Sequence, residues 1–237
     1  MNTVGAPNGD VPAGPAPEFG PSEQLLELLV FLFLIVPSMI LSLFVYGHEK
    51  ATFGLVAWAT IARDLALVAL IAFFVWRNGE PVARIGWTLG SGWREIVLGA
   101  AMFVPFLYVV QFIERVFTAW GLSTPLHPPA FLTPRGAPDV ALAVALVVVV
   151  ALAEETIFRG YLLLRLRAIT RGVFWAVVLS AAIFSTGHGY EGSAGMATVG
   201  VVGIIFAVIY MWRKSLVAPM VMHFLLDFIG IVIVRHR

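Results

Sequence analysis

Six ionisable side chains lie in three of the chain's long apolar stretches: Glu154, Glu155 and Arg159 in one, His188 in another, His223 and Asp227 in the last. A charge inside a membrane costs at least a few kcal/mol, so such residues are candidates for function before anything else. On an α-helix Glu155 and Arg159 form an i,i+4 pair and can make a salt bridge. Glu154 then points roughly 140° away from Arg159 and has no local counter-ion. A carboxylate left in that state can serve as a general base. His223 and Asp227 are a second i,i+4 pair, in which the carboxylate can orient the imidazole. The structural alternative is a polar knot that only fastens helices to one another. His48, His127 and His236 fall in loops or at the terminus and are expected to be solvated.

The elements that position these groups follow from composition. Hydrophobic residues make up 60% and charged residues 12% of the 237, where soluble domains have about 45–50% and 25%. Lipid must cover part of that apolar surface. The expected fold is therefore all-α, a polytopic transmembrane bundle of about seven spanning helices, since a spanning segment must satisfy its own backbone. The candidate spans are 24–46, 52–76, 95–113, 139–164, 173–190, 194–212 and 215–234. The second carries Arg63 and Asp64 near its middle, which must be paired or face protein. Residues 1–23 read as a disordered tail, 24–138 as N-terminal helices with a Pro-rich loop over 114–138, and 139–237 as the catalytic core.

Glu154 and His188 each lie seventeen residues from a turn near Arg171. In a helical hairpin that spacing brings them to one depth. Arg165 and Arg167 are expected to snorkel at the end of the fourth segment. Net charge is +1, with no basic stripe, so no nucleic-acid partner is expected; Cys is absent, which excludes disulfides and thiolate metal sites. Eight cations on one side of the seven spans against five on the other place the N-terminus in the cytoplasm. The Ala-, Val- and Arg-rich composition suggests a bacterial plasma membrane.

Glu154-Glu155-Thr156-Ile157-Phe158-Arg159 resembles the EExxxR motif of the CaaX-processing and bacteriocin-processing proteases, the Abi family. Phe184 through His188 resembles its FxxxH motif, and His223 through Asp227 its HxxxN or HxxxD motif. Three motifs in order on successive apolar helices, within about 139–234, carry the resemblance. It implies an intramembrane endopeptidase of the type that trims prenylated CaaX proteins. Glu154 would activate water with help from His188, while His223 and Asp227 would support the oxyanion and Glu155 and Arg159 would fix the geometry. Prenyl-protease members have Asn where this chain has Asp227, so Asp227 must be protonated or act by orienting His223. The family is often called metalloprotease. Glu154, His188 and His223 are the candidate zinc ligands, although a glutamate–histidine mechanism needs no metal and none is the expectation here. The expected partner is a peptide or protein substrate at the bilayer, prenylated or not. The rival readings are a non-catalytic immunity or scaffold protein that grips a peptide, and a proton-coupled transporter. The latter would show internal repeats, and none is detected.

Overall fold

With no water in hydrocarbon to bond to, an apolar stretch of this length closes its hydrogen bonds within itself and becomes a helix. The computed structural model describes residues 20–42, 52–88, 92–125 and 129–234. Seven apolar helices are present there: α1 (Pro21–Ser42), α2 (Phe53–Arg77), α3 (Gly92–Ala119), α4 (Gly136–Thr170), α5 (Val173–Thr186), α6 (Gly192–Arg213) and α7 (Val217–Val234). Six are long and apolar enough to cross a membrane. The exception is α5, whose 14 residues reach only about 21 Å at 1.5 Å per residue. The span expected at 173–190 is therefore shorter, and its end stays at the depth of the protein interior. In contrast α4 runs for 35 residues, about 52 Å, and overhangs the hydrocarbon. Most of the proposed tail, together with Lys50 and the loop histidines His48, His127 and His236, lies outside the described residues.

Two other boundaries move. Helix α3 continues past residue 113 to Ala119, because Glu114 and Arg115 near the water-facing end of a span carry little penalty. The Pro-rich loop shortens accordingly. Pro138 lies in the first turn of α4, where a helix has no use for the missing N–H.

Three apolar cores hold the bundle. One joins α1, α2, α4 and α5 through Phe31, Ile71, Phe74, Phe158 and Tyr161. A second joins α3, α6 and α7 through Phe103, Phe106, Phe206 and Met222. The third clamps α2 onto α4 through Phe53, Ala57, Ile61 and Leu146. The N-terminal helices are thus packed into the C-terminal segment rather than set beside it.

Midway along α4 the helix widens into a π-turn over Glu155–Leu162, with Leu163 N–H bonded to Phe158 O. Every residue of that turn is buried. Side chains repair the disturbed ladder: Thr156 donates to Leu152 O (2.6 Å) and Ser180 of α5 to Phe158 O (2.8 Å). Trp87 donates its indole N–H to Thr156 (3.2 Å). Gly160 lets a neighbouring 3-10 turn, Val82–Ile85, press against this segment; a Cβ at Gly160 would stand 2.6 Å from Ile85 O.

Arg165 does not snorkel. It is buried, donates to both oxygens of Glu80 (3.0 and 2.5 Å) and lies 3.3 Å from Glu27 of α1. Arg167 is exposed, as expected. A further ion pair, Arg213 to Glu95 at 2.7 Å, ties α6 to α3.

Candidate active site

α7 carries His223 into the middle of the bundle, where the ring is buried and three carboxylates surround it. Nδ1 lies 2.9 Å from Glu155 Oε1. Nε2 lies 3.7 Å from Glu154 Oε2 and 3.5 Å from Asp227 Oδ2. The i,i+4 spacing of His223 and Asp227 thus does bring carboxylate and imidazole together. The adjacent Glu154 and Glu155 address opposite nitrogens of one ring.

The expected pair of Glu155 and Arg159 is present, with Nη1 2.9 Å from Oε1. The approach is that of an ion pair without hydrogen-bond alignment, and both Nη atoms of Arg159 are buried without a hydrogen-bond partner among the described residues. Aromatic faces take over. The guanidinium carbon lies 4.2 Å from the Phe184 ring centre, 5.3 Å from Phe206 and 6.0 Å from Phe158. Stacking of this kind stabilises a desolvated cation by about 2 kcal/mol or more. Phe184, first singled out as part of a motif, therefore packs against Arg159, and it also touches both His188 and His223.

His188 is not within α5. The helix ends at Thr186, Gly187 follows as its cap, and His188 stands in the turn beyond. Its Nδ1 lies 3.2 Å from Phe184 O. A carbonyl only accepts, so Nδ1 carries the hydrogen and Nε2 is left with its lone pair in the neutral ring.

A cavity of about 480 Å³ joins these groups, with Glu154, His188, His223 and Asp227 in its wall. Its apolar lining includes Met39, Leu146, Val150 and Leu226. Phe131 and Tyr190 wall it on the side of the α3–α4 loop, and the lining reaches exposed Glu114. Glu154 Oε2 is buried here without a hydrogen-bond partner among the described residues.

Three residues escaped the reading of the sequence as site residues. Arg63 and Asp64 of α2 also line the cavity, paired at 2.8 Å as their burial required. Their signal was visible, two charges at mid-span, but only tertiary packing shows which cavity they enter. Phe206 of α6 is fully buried between Arg159 and His223 and gives no signal beyond being apolar.

Among the described residues no three His, Asp or Glu side chains are grouped so as to hold a metal ion. His223, one of the expected zinc ligands, has Nδ1 engaged by Glu155 and Nε2 facing two carboxylates. The expected set of Glu154, His188 and His223 does not fit zinc as placed.

Fold and site define a polytopic helical membrane protein with a carboxylate–imidazole cluster at the wall of an internal cavity. Residues 136–229 match the family model described as type II CAAX prenyl endopeptidase Rce1-like. That stretch contains all three motifs, so the C-terminal segment is similar to the CAAX-protease family they resemble. No curated protein and no solved structure gives a significant match.

Proposed function

We propose that the chain is a membrane-embedded, glutamate-dependent endopeptidase. The observation that carries this reading is the buried, unpartnered oxygen of Glu154 at the cavity wall, 3.7 Å from a histidine that Glu155 already holds. A water between Glu154 and the Nε2 lone pair of His188 gives its proton to Glu154 as its oxygen bonds to the peptide carbonyl carbon. The carbonyl π electrons move onto oxygen. His223, as imidazolium, donates from Nε2 to that oxyanion. Collapse breaks the C–N bond, and Glu154 returns the proton to the departing amine. The peptide bond and one water are consumed; a carboxyl and an amine form.

The remaining residues act through His223. Glu155 accepts from Nδ1 and so fixes the ring, and Arg159 neutralises Glu155 inside its phenyl cage. Asp227, 3.5 Å from Nε2, fits the orienting role better than that of a second donor.

The substrate is a peptide or protein segment at the bilayer. We place the protein in a plasma membrane with the N-terminus cytoplasmic, following the excess of Arg and Lys at the helix ends near Arg77, Arg171 and Arg213. The cavity wall that reaches Glu114 then faces the other side.

The direct test compares protein termini in membranes from cells making the wild-type chain or Glu154→Gln. New termini that appear only with wild type, at equal folded amounts of both chains, are the expected result. An immunity or scaffold protein would leave the two sets of termini identical, and that outcome would remove the protease reading.

A further inference from the structure

Between α2 and α3 the chain forms a short strap, residues 82–88, in which the 3-10 turn Val82–Ile85 is followed by Gly86. The strap touches both elements that build the imidazole cluster. On one side is the π-turn of α4, where Trp87 Nε1 donates to Thr156 Oγ1 at 3.2 Å and Ile85 presses on Gly160. On the other is the start of α7. The first N–H groups of a helix find no acceptor within it, and here Leu216 N–H donates to Gly86 O at 3.1 Å. Thr88 Oγ1 donates to Lys214 O at 3.4 Å beside it. Gly86 has φ +86°, and a Cβ there would collide with Tyr210 and stand 2.9 Å from Leu216 Cγ. Glycine alone admits so close an approach in that conformation.

The Thr156 hydroxyl is engaged twice. It gives its one hydrogen to Leu152 O at 2.6 Å, the bond to the carbonyl four residues back that tends to bend a helix. Its oxygen accepts from Trp87, and the residue is buried. The indole N–H therefore fixes the Thr156 rotamer, and with it the start of the widened turn. Thr156 adjoins Glu155, whose Oε1 lies 2.9 Å from His223 Nδ1. At the other end of the strap, Leu216 stands seven residues before His223, about 10 Å along α7. One short segment thus grips both halves of the Glu155–His223 pair.

We propose that Trp87 is a positioning residue of the imidazole cluster. Its bond to Thr156 holds the π-turn in place at Glu155, while the bond from Leu216 to Gly86 sets the height of His223, so that carboxylate and Nδ1 meet. Trp87 is not in the cavity wall and acts through Thr156 and Glu155. The consequence for cleavage rests on the endopeptidase reading above.

The test follows the imidazole proton itself, by magnetic resonance of the full chain in detergent micelles with ¹⁵N-labelled histidine. The Nδ1–H of His223, bonded to a carboxylate, gives a downfield signal that His223→Gln identifies by removing it. Trp87→Phe keeps the ring and removes the donor; Thr156→Val keeps the shape and removes the hydroxyl; Thr156→Ser restores the hydroxyl. In Trp87→Phe and Thr156→Val the signal should move upfield and its proton exchange with water about tenfold faster, the scale of one lost hydrogen bond. Thr156→Ser should match wild type. Cleavage per folded molecule should fall about tenfold in the first two variants.

A signal unmoved in Trp87→Phe and Thr156→Val, with only their melting midpoints lowered, would make the bond a strut of the fold and overturn the proposal. So would an effect confined to one of the two, a Thr156→Ser chain that behaves like Thr156→Val, or the absence of the signal from wild type. A signal that moves while cleavage stays at the wild-type rate would also overturn it. Failure of the protease reading is separate: a signal that responds as expected in a chain without Glu154-dependent cleavage would keep Trp87 as the support of the Glu155–His223 pair and remove the enzyme.

Discussion

At the cation-rich end of the bundle Arg165 meets Glu27 and Glu80; in the middle His223 meets Glu154, Glu155 and Asp227. Both clusters are buried and both join N-terminal or C-terminal helices to α4, yet they treat their carboxylates differently. Glu27 Oε1 accepts from Asn78 (2.8 Å) and Arg77 (3.4 Å), and its Oε2 faces Tyr161 (3.2 Å) and Arg165 (3.3 Å). Glu80 is shared between Arg165 and Arg84. Each of these four oxygens has a partner. In the His223 cluster and beside it, Glu154 Oε2, Glu155 Oε2 and Asp64 Oδ2 are buried without one among the described residues. A cluster in which every carboxylate oxygen has a partner serves the fold. Unsaturated buried acceptors cost stability, about 1–3 kcal/mol or more for a charged group, and persist where a ligand or water will occupy them. The comparison separates a structural knot from a site within one chain.

The largest expected effect tests the unsaturated side. Glu154→Gln should lower cleavage by at least the 10²–10⁴-fold of a lost general base, with the chain still folded. Unchanged turnover would move the base to Glu155. Next comes the saturated side. Arg165→Met leaves Glu27 and Glu80 without their shared cation, and breaking a buried pair from one end costs about 3–5 kcal/mol. Chemical unfolding should register that loss, while the cleavage rate per folded molecule stays near wild type.

A smaller effect is expected where the two clusters meet along α4. Gly160→Ala places a methyl against Ile85 O, and overpacking of this kind costs about 1–3 kcal/mol. The midpoint of unfolding should fall, and activity should fall with it only if the π-turn that carries Glu155 shifts. The smallest is Asp227→Asn. If Asp227 orients His223, the rate should drop roughly tenfold, below the 10²–10³-fold of losing an oxyanion donor. An Asn variant as active as wild type at neutral pH would instead favour a donor role, and Ala and Asn variants equal to wild type per folded molecule would leave Asp227 with packing alone.

Much of this was legible in the residues. Lipid imposes a length, so the spans expected at 52–76 and 194–212 declared their helices, and i,i+4 spacing declared the pairs of Arg159 with Glu155 and of His223 with Asp227. The boundaries that moved had local reasons. Gly187 stops α5 before His188, and Glu114 and Arg115 interrupt the hydropathy of α3 without interrupting its backbone. Other features had no local signal. Nothing in Glu155–Leu162 announces a π-turn, and the α-helical angle between Glu154 and Arg159 does not foretell that Glu154 and Glu155 meet the same imidazole. Arg165 looked like a snorkelling cation because its partners, Glu27 and Glu80, are over eighty residues away. Contacts of that range are set by packing, and the same holds for Arg63 at the cavity.

The contrast between the clusters can be measured most directly by unfolding wild type, Glu154→Gln and Arg165→Met side by side in one detergent. If the His223 cluster gives up stability for reactivity, neutralising its unpartnered carboxylate leaves the melting midpoint of Glu154→Gln at or above wild type, while Arg165→Met melts well below. A Glu154→Gln chain that melts as low as Arg165→Met would contradict the account, because Glu154 would then be one more strut of the fold.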